Sequence, residues 1–348
     1  MKNSYNYNNI LVTGGAGFIG GHFIETLLLE NPDCKVINLD ALTYAGDKFL
    51  VDKHQEKFQS RYIFIEGSIT CIDTVSDALK QYKIDTIVHF AAESHVDNSL
   101  DDPYLSLQTN IEGTFVLLKA ALSYWKHMFN LDSNKCRFHH ISTDEVYGSL
   151  ELDTDEVFTE ESPYKPNSPY SATKASSDHL VRAYSQSFNL PITMTHSSNN
   201  FGQRQHQEKF IPTVIRSCMQ KQPIPVYGDG LNKRDWVFVK DNCQMIDVVI
   251  RHAAIGSVYN IGAGQALSNI ELCCMICDVM TDYTNDNFNY RDLIQFVDDR
   301  PGHDRRYEIS MSKFNNDFGE VNSSSFEKSL LETICYYMDS DITNKAAI

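Results

Sequence analysis

A glycine-rich turn between a strand and a helix constrains this chain more than any other feature. In ILVTGGAGFIGGHFIETLLLE, an apolar run over 10–15 meets Gly14, Gly17 and Gly20, and a helical pattern follows at once. The G-x-x-G-x-x-G spacing lets the backbone turn tightly and approach a ligand. It opens onto a helix N-terminus, whose free N–H groups and dipole attract an anion such as a pyrophosphate. Asp40 closes the next strand-like run, KVINLD (35–40). A carboxylate there can accept from the ribose hydroxyls of an adenosine and would repel a 2′-phosphate, which favours NAD over NADP. Taken singly, each feature also has a plain structural use as a tight turn or a turn former.

Further β-rich runs recur at RYIFIEG (61–67), TIVHFAA (86–92), RFHHIST (137–143) and ITMTHSS (192–198), separated by helical patterns such as TNIEGTFVLLKAALSYW. This alternation predicts α/β architecture, a Rossmann-type doubly wound parallel sheet with a smaller α/β substrate-binding lobe. No period of 20–50 residues recurs, which excludes a repeat array. After residue 199, Pro- and Gly-bearing loops (KQPIPVYGDGLNKRDW) change the texture, and RDWVFVKDNCQMIDVVIRHA looks like a returning strand and helix. The expected division is a dinucleotide-binding domain over 1–198 plus about 232–262. The lobe holding the second ligand takes about 199–231 plus 263–338, NSSS (322–325) starts a final helix, and 339–348 is a frayed tail.

Thirty basic against forty-six acidic residues leave a formal charge of −16. That balance argues against a nucleic-acid or anionic-membrane surface, where affinity comes from clustered Lys and Arg. No run approaches the ~20 apolar residues of a membrane-spanning helix, and the polar start MKNSYNYNN lacks a signal-peptide core. Nine cysteines, an odd number without a secretory signal, point to reduced thiols and a cytoplasmic location. Cys273, Cys274 and Cys277 in CCMIC have helical apolar spacing and no second ligand cluster, so they read as core thiols with no metal.

Two short stretches carry chemistry. In SPYSATKASSDHL, Tyr170 and Lys174 are four apart and so share one helix face. A phenol with a pKa near ~10 is a poor base at neutral pH, and an ammonium nearby favours its ionised form. In HHISTDEVYG, Thr143 is followed by adjacent acids Asp144 and Glu145 at a strand end. Strand side chains alternate between faces, so the two acids can act together only if the backbone bends there. An acidic pair in a helix cap is the commoner use of such a pattern.

With LVTGGAGFIG, LDALTYAG, HFAAESHVD, STDEVYG, PYSATKASSDHLVRAY, SSNNFG, EKFIP, PVYGDG, RDWVFV, NIGAG and DRPGHDRRY, the chain resembles the extended short-chain dehydrogenase/reductase superfamily. Within it, the chain is most similar to nucleotide-sugar 4,6-dehydratases. The resemblance implies oxidation of the sugar at C4 by a tightly held NAD, loss of water across C5–C6, and reduction at C6. It assigns Tyr170 and Lys174 to the acid/base pair, Thr143 to orienting the C4 hydroxyl, Glu145 to the C5 proton and Asp144 to the departing C6 hydroxyl. Asp144 must then stay protonated, through desolvation and its anionic neighbour.

It further implies NAD contacts at Gly14, Gly17, Phe18, Ile19, Gly20, Asp40, Leu42, Thr43, Ile69, Ala91, Ala92, Thr109, Tyr170, Lys174 and Asn200. Sugar-nucleotide contacts fall at Ser94, Thr143, Asn199, Glu208, Lys209, Pro225, Tyr227, Arg234, Asn269, Arg300, His303 and Tyr307. His139 and His140 read as strand residues. Ser68, Asn98 and His196 depart from the Asp, Arg and Asn usual in the family, and QRQHQEK lacks a Pro after Gly202. The substrate is dTDP-glucose or UDP-glucose, in deoxysugar or rhamnose synthesis, and a homodimer is expected. Related epimerases and decarboxylases, or a non-catalytic NAD(H)-binding protein of the same fold, are the alternatives. Asp144 argues against the first two, and the complete catalytic set against the last.

Overall fold

The computed structural model describes residues 4–284, 287–299, 302–321 and 323–345. Six strands correspond to the six predicted runs: β1 (Asn9–Thr13), β2 (Lys35–Asp40), β3 (Tyr62–Glu66), β4 (Thr86–His89), β5 (Arg137–Thr143) and β6 (Ile192–Ser197). Then come β7 (Asn199–Phe201), β8 (Ile224–Tyr227), β9 (Lys233–Phe238), β10 (Val258–Ile261), β11 (Ala266–Ser268), β12 (Ile294–Val297) and β13 (Arg306–Tyr307). The helices are α1 (Phe18–Glu30), α2 (Lys48–Phe58), α3 (Ile72–Gln81), α4 (Val96–Asp101), α5 (Pro103–Ser106), α6 (Thr114–Phe129) and α7 (Pro169–Phe188). They continue with α8 (Phe210–Gln220), α9 (Val239–His252), α10 (Asn269–Thr284), α11 (Ser312–Phe318) and α12 (Phe326–Lys345).

The central sheet is parallel with strand order β10-β6-β5-β4-β1-β2-β3. Its strands are buried on both faces, as parallel strands covered by helices must be. Alternation along β1 shows this directly: Ile10 and Val12 enter one core with Phe23 and Ile24 of α1, while Leu11 enters the other with Leu117 and Trp125 of α6. α9 packs on α1, and α3 and α7 flank α6. The first of these cores continues into the smaller lobe through Ile211, Ile224, Leu272 and Cys273. Cys277 is fully buried there as well, and Cys274 is half-buried. β9 forms the centre of a second sheet with β7, β11 and β13, and β8 pairs with β12.

Four predicted runs extend past their strands. After Thr13, Glu66, His89 and Ser197 the chain leaves the sheet, and Gly14, Gly67, Phe90, Ala91, Ala92 and Ser198 become walls of a cavity. Their apolar or small character serves that wall, which period-2 reasoning cannot distinguish from a strand. α12 runs on through Asp339 to Lys345, and residues 346–348 lie outside the described residues. Among the described residues no helix is long and apolar enough to cross a membrane.

Trp125 has no exposed surface, and its indole N–H donates to the Ile84 carbonyl at 2.9 Å. It joins α6 to the segment entering β4. Trp125→Ala should therefore cost about 3–5 kcal/mol of stability, read as a lower midpoint in chemical denaturation; a loss under about 1 kcal/mol would contradict this packing role.

Candidate active site

A cavity of about 1090 Å³ opens along the carboxyl ends of β1, β4 and β5. At its floor the Gly14–Gly20 turn passes from β1 into α1. Gly14 has φ of 73°, and a Cβ on it would stand 2.6 Å from the Ala91 nitrogen, so only glycine fits. A Cβ on Gly20 would strike the Gly14 carbonyl oxygen. Gly17 caps α1 without a side-chain bond, and the first turn carries no acid. The helix N–H groups there are thus left for an anion.

Asp40, at the end of β2, accepts from the backbone N–H of Ala16 and of Leu42, both at 2.9 Å. Burial pushes its pKa up while these two bonds pull it back. Leu42 takes a left-handed φ of 48° and turns its side chain to the core instead of the cavity. Phe18, Ile19, Thr43, Ile69, Ala91, Ala92, Thr109 and Asn200 all line the cavity with Asp40 and the glycines. Ser68 lines it too, hydrogen-bonded to Thr70 at 2.8 Å. His139, on β5, lies against Thr193 and Thr195 of β6, away from the cavity.

The strand end bends as the paired acids require. Asp144–Tyr147 form a single 3₁₀ turn that begins where β5 stops, and the Thr143 hydroxyl accepts from the Glu145 N–H. With three residues per turn, Asp144 and Glu145 no longer point to opposite faces. Gly148, at φ of 91°, ends the turn. The neighbours then differ sharply. Asp144 is 1% exposed and its Oδ2 has no hydrogen-bond partner among the described residues, whereas Glu145 is half-buried. Burial, followed by the charges of Glu145 and Asp235, pushes the Asp144 pKa far above the carboxylate range. Arg234 opposes this in part.

Tyr170 and Lys174 occupy the buried face of α7 and line the same cavity as Thr143, Asp144 and Glu145. A full capping box, with Ser168 and Ser171 bonding reciprocally, starts the helix and Pro169 supplies its first turn. The Lys174 ammonium donates to the Ile141 carbonyl at 2.7 Å. Burial lowers its pKa to about 8, against an upward pull from Asp178. Tyr170 differs from the sequence expectation: burial and then the charges of Glu145 and Asp144 push its pKa well up. The ammonium is bonded to the β5 backbone rather than to the phenol.

Ser94, Asn199, Glu208 and Lys209 also line the cavity; Lys209 donates to the Ser94 carbonyl at 3.3 Å, and His95 and His206 flank Glu208. The remaining described sugar-nucleotide residues stand outside that lining, on the smaller lobe, which includes β9: the sequence division put that strand with the dinucleotide domain, but it pairs with β7, β11 and β13. Pro225 and Tyr227 lie on β8, Asn269 starts α10, and Tyr227 faces His303 edge-on. Arg234 lies over the Tyr307 ring at 4.2 Å; its charge opposes the rise of the Asp144 pKa, while burial and then the charge of Glu145 raise that of Tyr307. Arg300 lies outside the described residues, as does the side chain of Asn98.

Asn110 and Asp178 escaped the sequence reading, and His196 entered it only as a departure from the family. Asn110, in a π-helical turn over Leu107–Gly113, binds the Glu93 backbone on both sides and the Thr173 hydroxyl, tying the β4 loop to α7. Asp178 and His196 form a buried network behind β5. A polar residue on an otherwise buried helix face was the only available signal for Asn110 and Asp178.

The family described as GDP-mannose 4,6 dehydratase matches residues 11–333. A dTDP-glucose 4,6-dehydratase of Neisseria gonorrhoeae is 43% identical over 336 residues, 95% of this chain and 96% of its own. The dTDP-glucose 4,6-dehydratase 1 of Escherichia coli K12 is 41% identical over 337 residues, 94% of this chain and 92% of its own. A solved dTDP-glucose 4,6-dehydratase of Streptomyces venezuelae, with NAD and TYD bound, superposes with a TM-score of 0.86 at 37% identity, covering 96% and 98% of the two chains. The chain belongs to this family of nucleotide-sugar dehydratases, within the extended short-chain dehydrogenases/reductases.

The buried ammonium gives a direct test of the site's electrostatics. In a side-chain NMR titration, Lys174 should lose its proton with a midpoint of about 8, whereas an ordinary lysine titrates near ~10.4. An ordinary midpoint would mean that the cavity wall is wetter than the structure has it.

Proposed function

We propose that this chain is a dTDP-glucose 4,6-dehydratase, a hydro-lyase that forms the 4-keto-6-deoxy sugar nucleotide and water with retained NAD. The observation that carries the reading is the 3₁₀ turn holding a fully buried Asp144 beside a half-buried Glu145, in one cavity with Tyr170, Lys174 and the glycine turn. Family membership and the dTDP-glucose 4,6-dehydratase activity of relatives at 41–44% identity support it. Among the alternatives, an epimerase or decarboxylase has no use for the protonated Asp144.

The cradle fits a dinucleotide. Gly14, Gly17, Phe18, Ile19 and Gly20 would receive the pyrophosphate at the α1 N-terminus, and Asp40 the adenosine ribose. When bound, NAD supplies a two-electron acceptor for C4 and later the reductant for C6. The chain's residues move the protons. Tyr170 removes the C4 hydroxyl proton while Thr143 holds that hydroxyl, and the positive charge of a bound oxidised nicotinamide would offset the burial that raises the phenol's pKa. Glu145 takes the C5 proton, made acidic by the neighbouring ketone, and gives a proton back to C5 when C6 is reduced. Asp144, kept protonated by burial and by the charge of Glu145, gives its proton to the leaving C6 hydroxyl. Arg234 and Tyr307 stand by the acids from the smaller lobe, with Ser94, Asn199, Glu208 and Lys209 along the cavity. A cytoplasmic location, with a role in deoxysugar synthesis such as that of rhamnose, belongs to the same reading and is supported by the free cysteines. A homodimer is supported by exposed Leu107, Phe115 and Phe188 near the outer faces of α6 and α7.

Purified protein given dTDP-glucose without added NAD should form the 4-keto-6-deoxy product, and faster than it does from UDP-glucose; equal or better use of UDP-glucose would reassign the base. Asp144→Asn should slow water loss about 100-fold or more while C4 oxidation continues. Tyr170→Phe should suppress C4 oxidation itself, and near-normal turnover by either variant would remove that residue from its role.

A further inference from the structure

Behind the catalytic strand end lies a buried polar network that the dehydration steps do not use. Its centre is Asp178, 2% exposed, one helical turn beyond Lys174 and two beyond Tyr170 on the same face of α7. Asp178 Oδ2 accepts from the Ser142 hydroxyl at 2.7 Å and lies 3.1 Å from His196 Nε2 on β6. Its Oδ1 lies 3.2 Å from His140 Nε2. Lys174 and Asp178 thus grip three successive β5 residues, His140 and Ser142 by their side chains and Ile141 by its carbonyl. His196 is held in turn by the hydroxyls of Tyr147, at 2.6 Å, and Tyr164, at 2.9 Å. These bonds run from the next strand and from the turn that carries Asp144 and Glu145.

We propose that Asp178 is a positioning residue of this active site: it is the buried counter-ion of the Lys174 ammonium and the pin that fixes the α7 face to the β5 segment leading into Thr143, Asp144 and Glu145. A buried lysine without a compensating charge loses its proton. The other titratable groups around it are poor substitutes. His89 on β4 and His140 on β5 are driven towards the neutral form by burial. Asp144 is driven towards its protonated form, and the Tyr164 and Tyr147 phenols are raised by burial. Glu145 stands on the half-exposed side of the turn, and His196 bonds to Asp178 itself. Asp178 stays ionised because, although burial opposes it, hydrogen bonds from His140 and His196 hold its pKa low. The inference rests on the roles given above to Tyr170 and Lys174, since Asp178 acts through them.

The sign follows from charge. Asp178→Asn removes the negative neighbour, so the Lys174 midpoint should fall from about 8 by about one pH unit or more. Activity that needs the ammonium is then lost at lower pH. The experiment compares wild type and Asp178→Asn in two readouts: the Lys174 titration by side-chain NMR, and kcat and KM for dTDP-glucose across pH 6–9. The expected result is a lowered midpoint with an alkaline limb moved to match, a kcat reduced about twofold at pH 7 and about fivefold at pH 8, and a KM within about twofold. Ser142→Ala keeps the charge and should leave the midpoint in place. A purely structural Asp178 would instead lower stability and activity equally at every pH with no change in the midpoint, which overturns the proposal. Should Asp178→Asn fail to fold, the wild-type carboxyl signal of Asp178 decides: it must register a titration coinciding with that of Lys174, and its failure to do so also overturns the proposal. A wild type that turns over no dTDP-glucose would instead refute the functional reading, whatever the NMR shows.

Discussion

Everything at the site depends on the parallel register of β1, β4 and β5. β1 pairs with β2 on one side and β4 on the other, so the connections leave the sheet in opposite directions at that boundary. A crevice opens at such a switch point, outside the carboxyl ends of the strands. Thr13 stands beside His89, and His89 beside His140, so the glycine turn, the Ala91–Ala92 wall and the Thr143–Glu145 turn leave the sheet side by side. The anion-binding helix end and the paired acids come from segments far apart in sequence. Strand register alone brings them to one cavity.

Within that frame, desolvation does the chemical sorting. Two adjacent carboxyls of the same intrinsic acidity are separated because the 3₁₀ turn buries Asp144 and leaves Glu145 half-buried. The charge of Glu145 then reinforces the protonated state of its neighbour. The same burial lowers Lys174 and raises Tyr170. An acid held protonated, a carboxylate beside it and a near-neutral lysine are the forms that proton transfer at neutral pH needs.

Much of this was legible in the sequence, for identifiable reasons. Short β-rich runs alternating with helical patterns mark the strands of a parallel sheet, so KVINLD and RFHHIST predicted β2 and β5 to the residue. The glycine turn and Asp40 were legible because steric need restricts those positions to very few residue types. A bend at the strand end is what the paired acids require, and a 3₁₀ turn supplies it. Asn110, Asp178 and His196 were not legible in the same way. Their partners lie between 17 and 113 residues away, counting the Tyr147–Asn260 bond that extends the network, and no local pattern distinguishes a polar side chain that links elements from a solvated one. The expectation that Lys174 lowers the Tyr170 phenol failed for a related reason. Spacing on a helix places two side chains on one face, but the Ile141 carbonyl across the interface takes the ammonium.

The smaller lobe completes the electrostatics of the acids rather than only covering them. β9 places Arg234 over Tyr307 of the neighbouring β13, while Asp235, one residue on, is buried and accepts from the Ala263 and Gln265 N–H groups. Arg234 and Asp235 pull the Asp144 pKa in opposite directions, and burial decides the outcome in favour of the neutral acid. The wall of the catalytic turn is therefore built by both lobes, α7 and β6 from behind and β9 from the front. A substitution in β9 that leaves every proposed proton donor and acceptor intact can still change the protonation of Asp144, because the charge balance of that carboxyl is set across the lobe boundary.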